Sequence, residues 1–193
     1  MLSRRELIIR SAGKLFREKG YAATSMRDLA REVGVEAPSL YNHFSSKQAL
    51  LRDICFGMAD EFFQAFKNAV ENKTTCTDKL ISAGKEHVRV IYNHLEASVV
   101  FFEEWIFLEG SELNRFKRLR KNYQQKFKAL IEEGVNCNEF RKIDARVATF
   151  TYLSSLNATH ELMMHSRNIN PDELAEQIAE IFIKGISRRL FHH

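Results

Sequence analysis

The sequence predicts an all-α protein with an N-terminal three-helix head, a larger helical body and about nine helices in all. Three observations lead to this prediction. Only two prolines and eight glycines occur in 193 residues. Long segments are rich in Leu, Ala, Glu, Lys and Phe. Apolar residues also recur at helical spacing along most of the chain, which is the pattern of amphipathic helices rather than strands.

The head begins with two predicted helices. Residues 3–19 form the first, on an apolar stripe of Ile8, Ala12, Leu15 and Phe16. The second starts at Thr24 and Ser25, with Asp28 spaced as the partner of a capping box. Its apolar stripe is Met26, Leu29, Ala30 and Val33. Gly34 is expected to end it by adopting positive φ.

A third, short helix has Pro38 in its first turn, where the missing N–H costs nothing. Leu40 and Phe44 lie one turn apart and are expected to face a core. The polar and aromatic tips of the neighbouring residues are then left outside: Ser39, Tyr41, Asn42 and His43. Such a helix suits a helix-turn-helix motif that reads DNA. Ser45 and Gln48 are spaced as a capping box for a fourth helix, residues 46–70.

The charge distribution favours the same interpretation. Residues 1–52 hold ten Lys and Arg against five Asp and Glu, a balance of +5. The remaining 19 basic and 20 acidic residues give −1, so the positive excess lies in the segment with the helix-turn-helix pattern. A solvated basic helix is the alternative; a phosphate-binding surface is the interpretation that also explains the motif.

The head resembles the TetR family of one-component transcriptional regulators over roughly residues 3–52. The matching residues run without a gap from Phe16 and Gly20-Tyr21 through Thr24, Ala30, Gly34-Val35, Leu40-Tyr41, His43-Phe44 and Lys47. The resemblance implies that the third helix enters the major groove of double-stranded DNA at a palindromic operator. It also implies that the fourth connects a DNA-binding domain, residues 1–48, to a ligand-sensing and dimerisation domain, residues 49–193.

The resemblance further implies a division of DNA contacts. Phosphate contacts are expected from Thr24, Tyr41, His43 and Lys47, and Ser25 at the start of the second helix offers another hydroxyl. Base-facing positions are Ala37, Pro38, Ser39 and Asn42. Alternatively, His43 is a local cap and Tyr41 braces the turn. Glu36 and Pro38 depart from the family pattern, which often has a capping Ser or Thr and a Gly there, so base preference is expected to differ.

The body is predicted as helices 77–93, 96–109, 111–136, 144–165 and 172–190. Its aromatic residues at helical spacing are read either as core or as the lining of a pocket for a large apolar ligand. The pocket is favoured over the core by Asn157 and His160, with Glu103 or Glu104 on a facing helix, because buried polar groups need partners. The predicted pocket residues are Phe101, Phe102, Trp105, Tyr123, Asn157 and His160.

The body more weakly resembles TetR regulators that respond to acyl-CoA thioesters. The resemblance rests on FFEEWIFLEG, Arg120, Tyr123, Phe127, EEGV…EFRKID and Leu156-Asn157. It implies a small apolar or acyl-CoA-type effector that releases a repressor from DNA, with activation as the alternative. Glu161 stands near where those regulators carry aromatic and Arg residues, which is unfavourable for CoA phosphates. A basic run on the predicted helix 111–136, Arg115, Arg118, Arg120 and Lys121, is either a phosphate site or a solvated face.

The last two helices are predicted to form a homodimer as a four-helix bundle across a two-fold axis. The apolar face of the final helix, which extends to Leu190, is wider than one intramolecular contact needs. The predicted interface residues are Ala148, Ser155, Thr159, Ile178, Ile181, Phe182 and Ile186. His192-His193 are either native or a tag remnant.

Enzyme chemistry is not indicated. His160, Glu161 and His165 lack the i, i+4 spacing of a zinc helix, and no phosphate-binding glycine loop or nucleophile elbow is present. The sequence therefore predicts no cofactor and no metal. The three cysteines, Cys55, Cys76 and Cys137, are expected to be buried packing residues in a reducing cytoplasm. A DNA-binding architectural protein without a ligand remains the alternative to a regulator.

Overall fold

The computed structural model describes residues 3–166 and 168–187, and within them the chain is helical. Its elements are α1 Arg4–Lys19, α2 Met26–Val33, α3 Ala37–Tyr41, α4 Lys47–Glu71, α5 Cys76–Asn93, α6 Leu95–Glu103, a 3₁₀ helix Glu104–Phe107, α7 Gly110–Asn136, α8 Ala145–Asn157, α9 Thr159–His165 and α10 Pro171–Ile186. In these described ranges no strand forms, and one isolated bridge pairs Phe140 with Ser187. Across the same ranges, no helix has both the length and the apolar character of a membrane span.

The contacts divide the chain into two compact units. The first comprises the described residues up to Asp60 and returns for His94–Leu119; the second comprises Glu61–Asn93 and the described residues from Arg120 onwards. Helices α4 and α7 therefore each contribute residues to both units. Leu190 and His192-His193 lie outside the described residues.

The core of the first unit forms as the apolar periodicity predicts. The α1 stripe of Ile8, Ala12, Leu15 and Phe16 is buried, and so are Leu29, Leu40 and Phe44. Helix α6 packs closely on α1, because a Cβ added at Gly13 would lie 2.4 Å from the carbonyl oxygen of Glu96. The predicted capping box of α2 is confirmed: Ser25 Oγ accepts from the Asp28 N–H, and the Asp28 carboxylate accepts from the Ser25 N–H. Gly34 ends α2 with φ 73°.

The second unit is held by contacts of α5 with α8, α9 and α10. Gly84 on α5 is required by close approach, because an added Cβ would lie 2.1 Å from Tyr152 Oη. That hydroxyl donates to the Leu80 carbonyl oxygen at 3.1 Å, while the Tyr152 ring stacks on Phe182 with centroids 4.4 Å apart. A buried hydroxyl group needs its hydrogen bond, so this contact fixes the position of α8 along α5.

Two helices predicted as continuous are interrupted. The predicted helix 144–165 divides at Ala158, since the Thr159 hydroxyl and a His160 ring nitrogen take the carbonyl oxygens of Leu156 and Asn157 at 2.7 and 2.6 Å. Side-chain donors thereby compete with the helical ladder. The predicted helix 96–109 tightens into a 3₁₀ turn from Glu104, whose carboxylate accepts the Tyr21 N–H.

Two smaller predictions need correction. The capping box at Ser45 and Gln48 is wrong: Ser46 caps α4 by accepting from the Ala49 N–H, while Gln48 donates to the Phe107 carbonyl oxygen. Cys55 and Cys76 are buried, but Cys137 is exposed because it follows the end of α7 rather than facing a core.

Candidate nucleic-acid interface and ligand cleft

The exposed surface of α3 and the turn after it contains most of the predicted DNA contacts. Pro38, Tyr41, Asn42 and His43 are exposed, with Tyr41 50% accessible. Leu40 beneath them is fully buried, which holds the helix while its outer residues stay accessible. The remaining base-facing positions, Ala37 and Ser39, are half-buried. Glu36 stands at the N-cap without a side-chain cap hydrogen bond, so the start of α3 is held by packing.

Three predicted phosphate contacts have their polar groups engaged within the head. Thr24 is buried, and its hydroxyl donates to the Gly20 carbonyl oxygen at 2.9 Å. The Ser25 hydroxyl is part of the capping box and donates to Asp28 Oδ2. Lys47 Nζ donates to the carbonyl oxygens of Tyr21 and Thr24, both at 2.7 Å. These groups fix the loop between α1 and α2.

Tyr21 is the centre of that loop. Its ring contacts Phe16 edge-on with centroids 5.1 Å apart and stacks on Phe107 at 5.2 Å. Its N–H donates to the buried Glu104 carboxylate at 3.3 Å, and burial raises the pKa of that carboxyl group. Lys47 Nζ lies 4.3 Å from the ring centre, a cation–π contact. The segment 104–107 is therefore a structural part of the helix-turn-helix head, which the sequence pattern did not predict.

Two basic residues on α2 extend the exposed surface of the head. Arg27 and Arg31 are exposed, and the Arg31 side chain is 82% accessible with only a 3.9 Å ion pair to Asp28. Neither was singled out from the sequence. Their positions in the sequence indicate exposure, because both residues lie outside the apolar stripe of α2, whose Leu29 and Ala30 face the core. Guanidinium groups in this position are suited to phosphate oxygens.

The predicted pocket residues are divided between the two units. Phe101, Phe102 and Trp105 belong to the first, and the centroids of Phe101 and Trp105 lie 5.4 and 5.9 Å from that of Phe116. Tyr123, Asn157 and His160 belong to the second. The division arises because α6 packs on α1, which helical spacing within α6 does not reveal.

Tyr123 lies in a buried aromatic cluster of the second unit. The rings around it are Phe62, Phe63, Phe66 and Phe127. His87 Nδ1 lies 3.0 Å from Tyr123 Oη, and the His87 ring stacks on Phe62 at 4.5 Å. Burial lowers the pKa of His87 to about 3, and a hydrogen bond to the Asn157 side chain opposes this shift. The buried His87 imidazole is therefore neutral and contacts the Tyr123 hydroxyl group, although the sequence pattern did not place this histidine in the pocket.

A cleft opens beside Asn157 between α7 and α8. Its volume is about 360 Å³, and it is lined by Arg120, Gln124, Gln125, Lys128, Arg146, Thr149, Phe150, Leu153, Ser154 and Asn157. Three of these residues are basic and none is acidic. Arg146 pairs with Asp144 at 2.8 Å and Lys128 with Glu132 at 2.7 Å, both partly exposed pairs. His160 is buried beyond the end of α8, and Glu161 is exposed on α9.

The predicted dimer residues are partly internal. Ala148, Thr159, Phe182 and Ile186 are buried within the subunit, Ile178 is half-buried, and Ser155 and Ile181 are exposed. Besides Ile181, the large apolar side chains exposed on these helices are Val147, Phe150 and Leu162. Phe150 and Ile181 are 73% and 75% accessible.

An exposed, core-anchored third helix in a basic N-terminal segment, followed by a helical body, defines a helix-turn-helix DNA-binding regulator. Two family models match the chain: bacterial regulatory proteins of the tetR family over residues 8–54, and the tetracyclin repressor-like C-terminal domain over residues 73–186. The chain belongs to the TetR family of transcriptional regulators. It is a regulator and not an enzyme, since its relatives are transcriptional repressors.

Several known proteins are similar over nearly the whole chain. The HTH-type transcriptional repressor KstR2 of Rhodococcus jostii is 24% identical over 189 residues, which cover 95% of this chain and 91% of that repressor. The solved structure of the ketosteroid transcriptional regulator KstR2 of Mycobacterium tuberculosis has a TM-score of 0.90 at 20% identity, covering 98% and 97% of the two chains. AibR, solved in complex with isovaleryl coenzyme A and operator DNA, has a TM-score of 0.79 at 18% identity, covering 93% and 97%. At these identities the two structural matches show a shared fold.

Proposed function

We propose that the protein is a homodimeric cytoplasmic repressor that leaves its palindromic operator when a small effector binds. The observation that carries the DNA-binding role is the exposure of Tyr41, Asn42 and Pro38 above the fully buried Leu40. The charge of +5 in residues 1–52 supports it, because phosphate contact supplies most of the affinity for DNA. Residues 1–48 would bind DNA, and residues 49–193 would sense the effector and dimerise.

The DNA contacts divide by chemistry. Tyr41 and His43 contact phosphates, and Arg27 joins them from α2. Ala37, Pro38, Ser39 and Asn42 face the bases, where the Asn42 amide pairs with adenine and the apolar residues contact thymine methyl groups. Thr24, Ser25 and Lys47 act chiefly by holding the loop that positions α2, because their polar groups already have partners there.

Dimerisation would use the outward faces of α8, α9 and α10. Val147, Phe150, Leu162 and Ile181 expose large apolar side chains, while Ser155 and Ile178 contribute at their margin. Large exposed apolar side chains on neighbouring helices are typical of protein contacts. Four residues predicted from the sequence, Ala148, Thr159, Phe182 and Ile186, would instead support this face from within the subunit.

The effector would bind in the cleft between α7 and α8. Arg120, Lys128 and Arg146 offer charges to an anionic group, and Arg146 can exchange its exposed pair with Asp144 for a phosphate at little cost. Phe150 and Leu153 line the same cleft beside Asn157, which suits an apolar group. A small apolar acid or an acyl-CoA thioester combines these features. AibR, which has the same fold, was solved with isovaleryl coenzyme A.

Release from DNA then follows from linkage. An effector that binds the DNA-free dimer more tightly than the DNA-bound dimer weakens operator binding by the same factor. Shifting the population from 1:99 to 99:1 requires about 5.5 kcal/mol of differential affinity. Repression is distinguished from activation by the direction in which transcription changes when the effector is added.

Selection of bound duplexes from random DNA tests the DNA-binding role. The expected result is enrichment of a palindrome whose half-site centres are about 34–36 Å apart, one helical turn, or a multiple of this spacing. Binding without any enriched sequence would favour an architectural protein over an operator-specific regulator.

Thermal unfolding tests the effector site independently of DNA. A ligand present at 100 times its Kd stabilises the folded state by about 2.7 kcal/mol. We expect an increase in Tm with one or more acyl-CoA thioesters, and a smaller increase in the double variant Arg120→Ala/Arg146→Ala. Equal shifts in the two proteins would place the ligand elsewhere.

A further inference from the structure

Two cysteines that lie far apart in the sequence come together in the second unit. Cys76 is the first residue of α5 and is buried, while Cys137 follows α7 and is exposed. Glu139 lies two residues further on. One Sγ atom from each cysteine and one carboxylate oxygen of Glu139 all lie within 4.8 Å of one another. The sequence spacing gave no sign of this, because Cys76 starts α5 and Cys137 lies in the turn after α7.

The cluster is held in place by backbone contacts. The Glu139 carboxylate accepts from the N–H groups of Cys76 and Thr77 at 3.0 and 2.9 Å, and from the Thr77 hydroxyl at 3.0 Å. On the other side, Asn138 adopts φ 64° and the Phe140 N–H donates to the Gly134 carbonyl oxygen at 3.0 Å. The turn after α7 is thus fixed against the start of α5, and the three donor atoms are positioned before any ion arrives.

The orientation of the side chains is suited to a cation. The Cys137 thiol donates to Glu139 Oε1 at 3.7 Å, and the same oxygen accepts the Cys76 N–H, so a cation can replace the thiol proton between this sulfur and this oxygen. Glu133 and Lys79 lie beside the cluster and pair with each other at 2.9 Å. Because that ion pair is internally balanced, the Glu139 carboxylate is left as a negative charge at the cluster, and such a charge attracts a cation.

We propose that Cys76, Cys137 and Glu139 form a binding site for a thiophilic divalent cation such as Zn²⁺. Two thiolates on one tetrahedral zinc, at about 2.3 Å each, are separated by about 3.8 Å, which the observed cluster can accommodate. The ion replaces both thiol protons, which pass to solvent, and Glu139 supplies the third ligand. Exposure of Cys137 leaves the fourth position open to water or to an exogenous ligand.

A disulfide is the competing outcome for the same pair of cysteines. Disulfide formation requires a thiolate and an oxidant. The Glu139 carboxylate, which lies beside both sulfur atoms, favours a cation instead, and the cation removes the thiol protons on binding.

Cobalt binding to the full-length, reduced, metal-free protein tests the site in the absence of oxygen. We expect one Co²⁺ per subunit, with thiolate-to-cobalt charge-transfer absorption and the intense visible bands of tetrahedral cobalt, both displaced by Zn²⁺. Cys137→Ser should weaken binding at least tenfold and, because only the Cys76 thiolate remains, reduce the charge-transfer absorption per bound cobalt by about half. Its side chain is exposed, so folding should persist, which circular dichroism checks. Glu139→Gln should weaken binding while both thiols remain.

Cys55→Ala is the matched control, since Cys55 is the remaining cysteine and lies in the first unit. It should bind cobalt as the wild type does. Cobalt bound without charge-transfer absorption, or bound equally by Cys137→Ser, would overturn the proposal by placing the ion on other side chains. Failure of the reduced protein to bind cobalt, together with loss of two hydrogen atoms from its mass in air, would overturn it in favour of a redox-active disulfide.

Discussion

Lys47 Nζ lies 2.7 Å from the Tyr21 carbonyl oxygen and 4.3 Å from the centre of the Tyr21 ring. The same ammonium group donates to the carbonyl oxygens of Ala22 and Thr24. The first residue of α4 is thereby attached to the loop between α1 and α2. This loop directly precedes the helix-turn-helix of α2 and α3, so Lys47 contributes to the shape of the DNA-binding head.

Replacing Lys47 with Met is expected to destabilise the protein. The variant keeps an apolar stem but removes the ammonium donor from the Ala22 and Thr24 carbonyl oxygens, and from the Tyr21 oxygen, which keeps the Thr24 N–H. Hydrogen bonds from a charged group contribute about 1.5–3 kcal/mol. We expect a decrease of about 2 kcal/mol in the free energy of unfolding, measured in urea. Lys19→Met, which removes an exposed ammonium group of α1, is the control. Unchanged stability with a lower salt dependence of DNA binding would instead make Lys47 a phosphate contact.

Tyr41 and Asn42 are adjacent, exposed and predicted to have different roles. Tyr41→Phe removes one phosphate hydrogen bond, so affinity should decrease about three- to tenfold on operator and random DNA alike. Asn42→Ala removes a bidentate base contact worth about 1–3 kcal/mol and should relax preference at one position in each half-site. Fluorescence anisotropy with operators varied at single positions measures both. Equal losses on specific and random DNA for both variants would refute this division of roles.

His87 makes stability depend on pH. Its pKa in the folded protein is about 3, below the ordinary value of 6.5, so the unfolded chain binds a proton that the folded chain does not. Stability is therefore complete above pH 6.5 and decreases as the pH falls toward 3. Between pH 7.5 and 5.5 this loss is about 1.4 kcal/mol. His87→Gln should lack it, whereas His165→Gln, at an exposed position, should keep it. Identical pH profiles for the wild type and His87→Gln would contradict the assignment.

Charges placed on the exposed apolar face should prevent dimerisation. Phe150→Glu and Ile181→Glu replace side chains that are 73% and 75% accessible in the single subunit, so each variant should fold. Burying an unpaired carboxylate at an interface is costly, and we expect a shift of at least tenfold toward monomer by sedimentation equilibrium. Tyr92→Glu, at an exposed aromatic position on α5, is the control. A stable dimer in both interface variants would place the interface elsewhere.

The elements of the head were predictable because each depends on nearby residues. The α1 stripe, the capping box at Ser25 and Asp28, and the left-handed Gly34 are all specified within a few positions of sequence. The interruption at Ala158 was not predictable from periodicity, since it depends on side-chain hydrogen bonds of Thr159 and His160 that compete with an otherwise acceptable helix.

The candidate sites depend on contacts between distant segments and were predicted less well. Helical spacing placed Phe101 and Trp105 on one face but could not reveal that this face packs on Phe116 within the first unit. Likewise, His87 and Tyr123 meet because α5 packs with α7. Cys76 meets Cys137 because the turn that follows α7 lies against the start of α5. Pairs of this kind are set by tertiary packing, which a single sequence does not encode as a local pattern.

The affinity for the selected operator, with and without acyl-CoA thioesters and their free acids, tests the switch most directly. For the wild-type protein we expect at least one of these compounds to weaken operator binding tenfold or more. The Arg120→Ala/Arg146→Ala variant should bind the operator equally well without ligand and lose most of this response. Operator binding that no member of the series changes, or a response identical in the variant, would contradict an effector-controlled repressor with its ligand between α7 and α8.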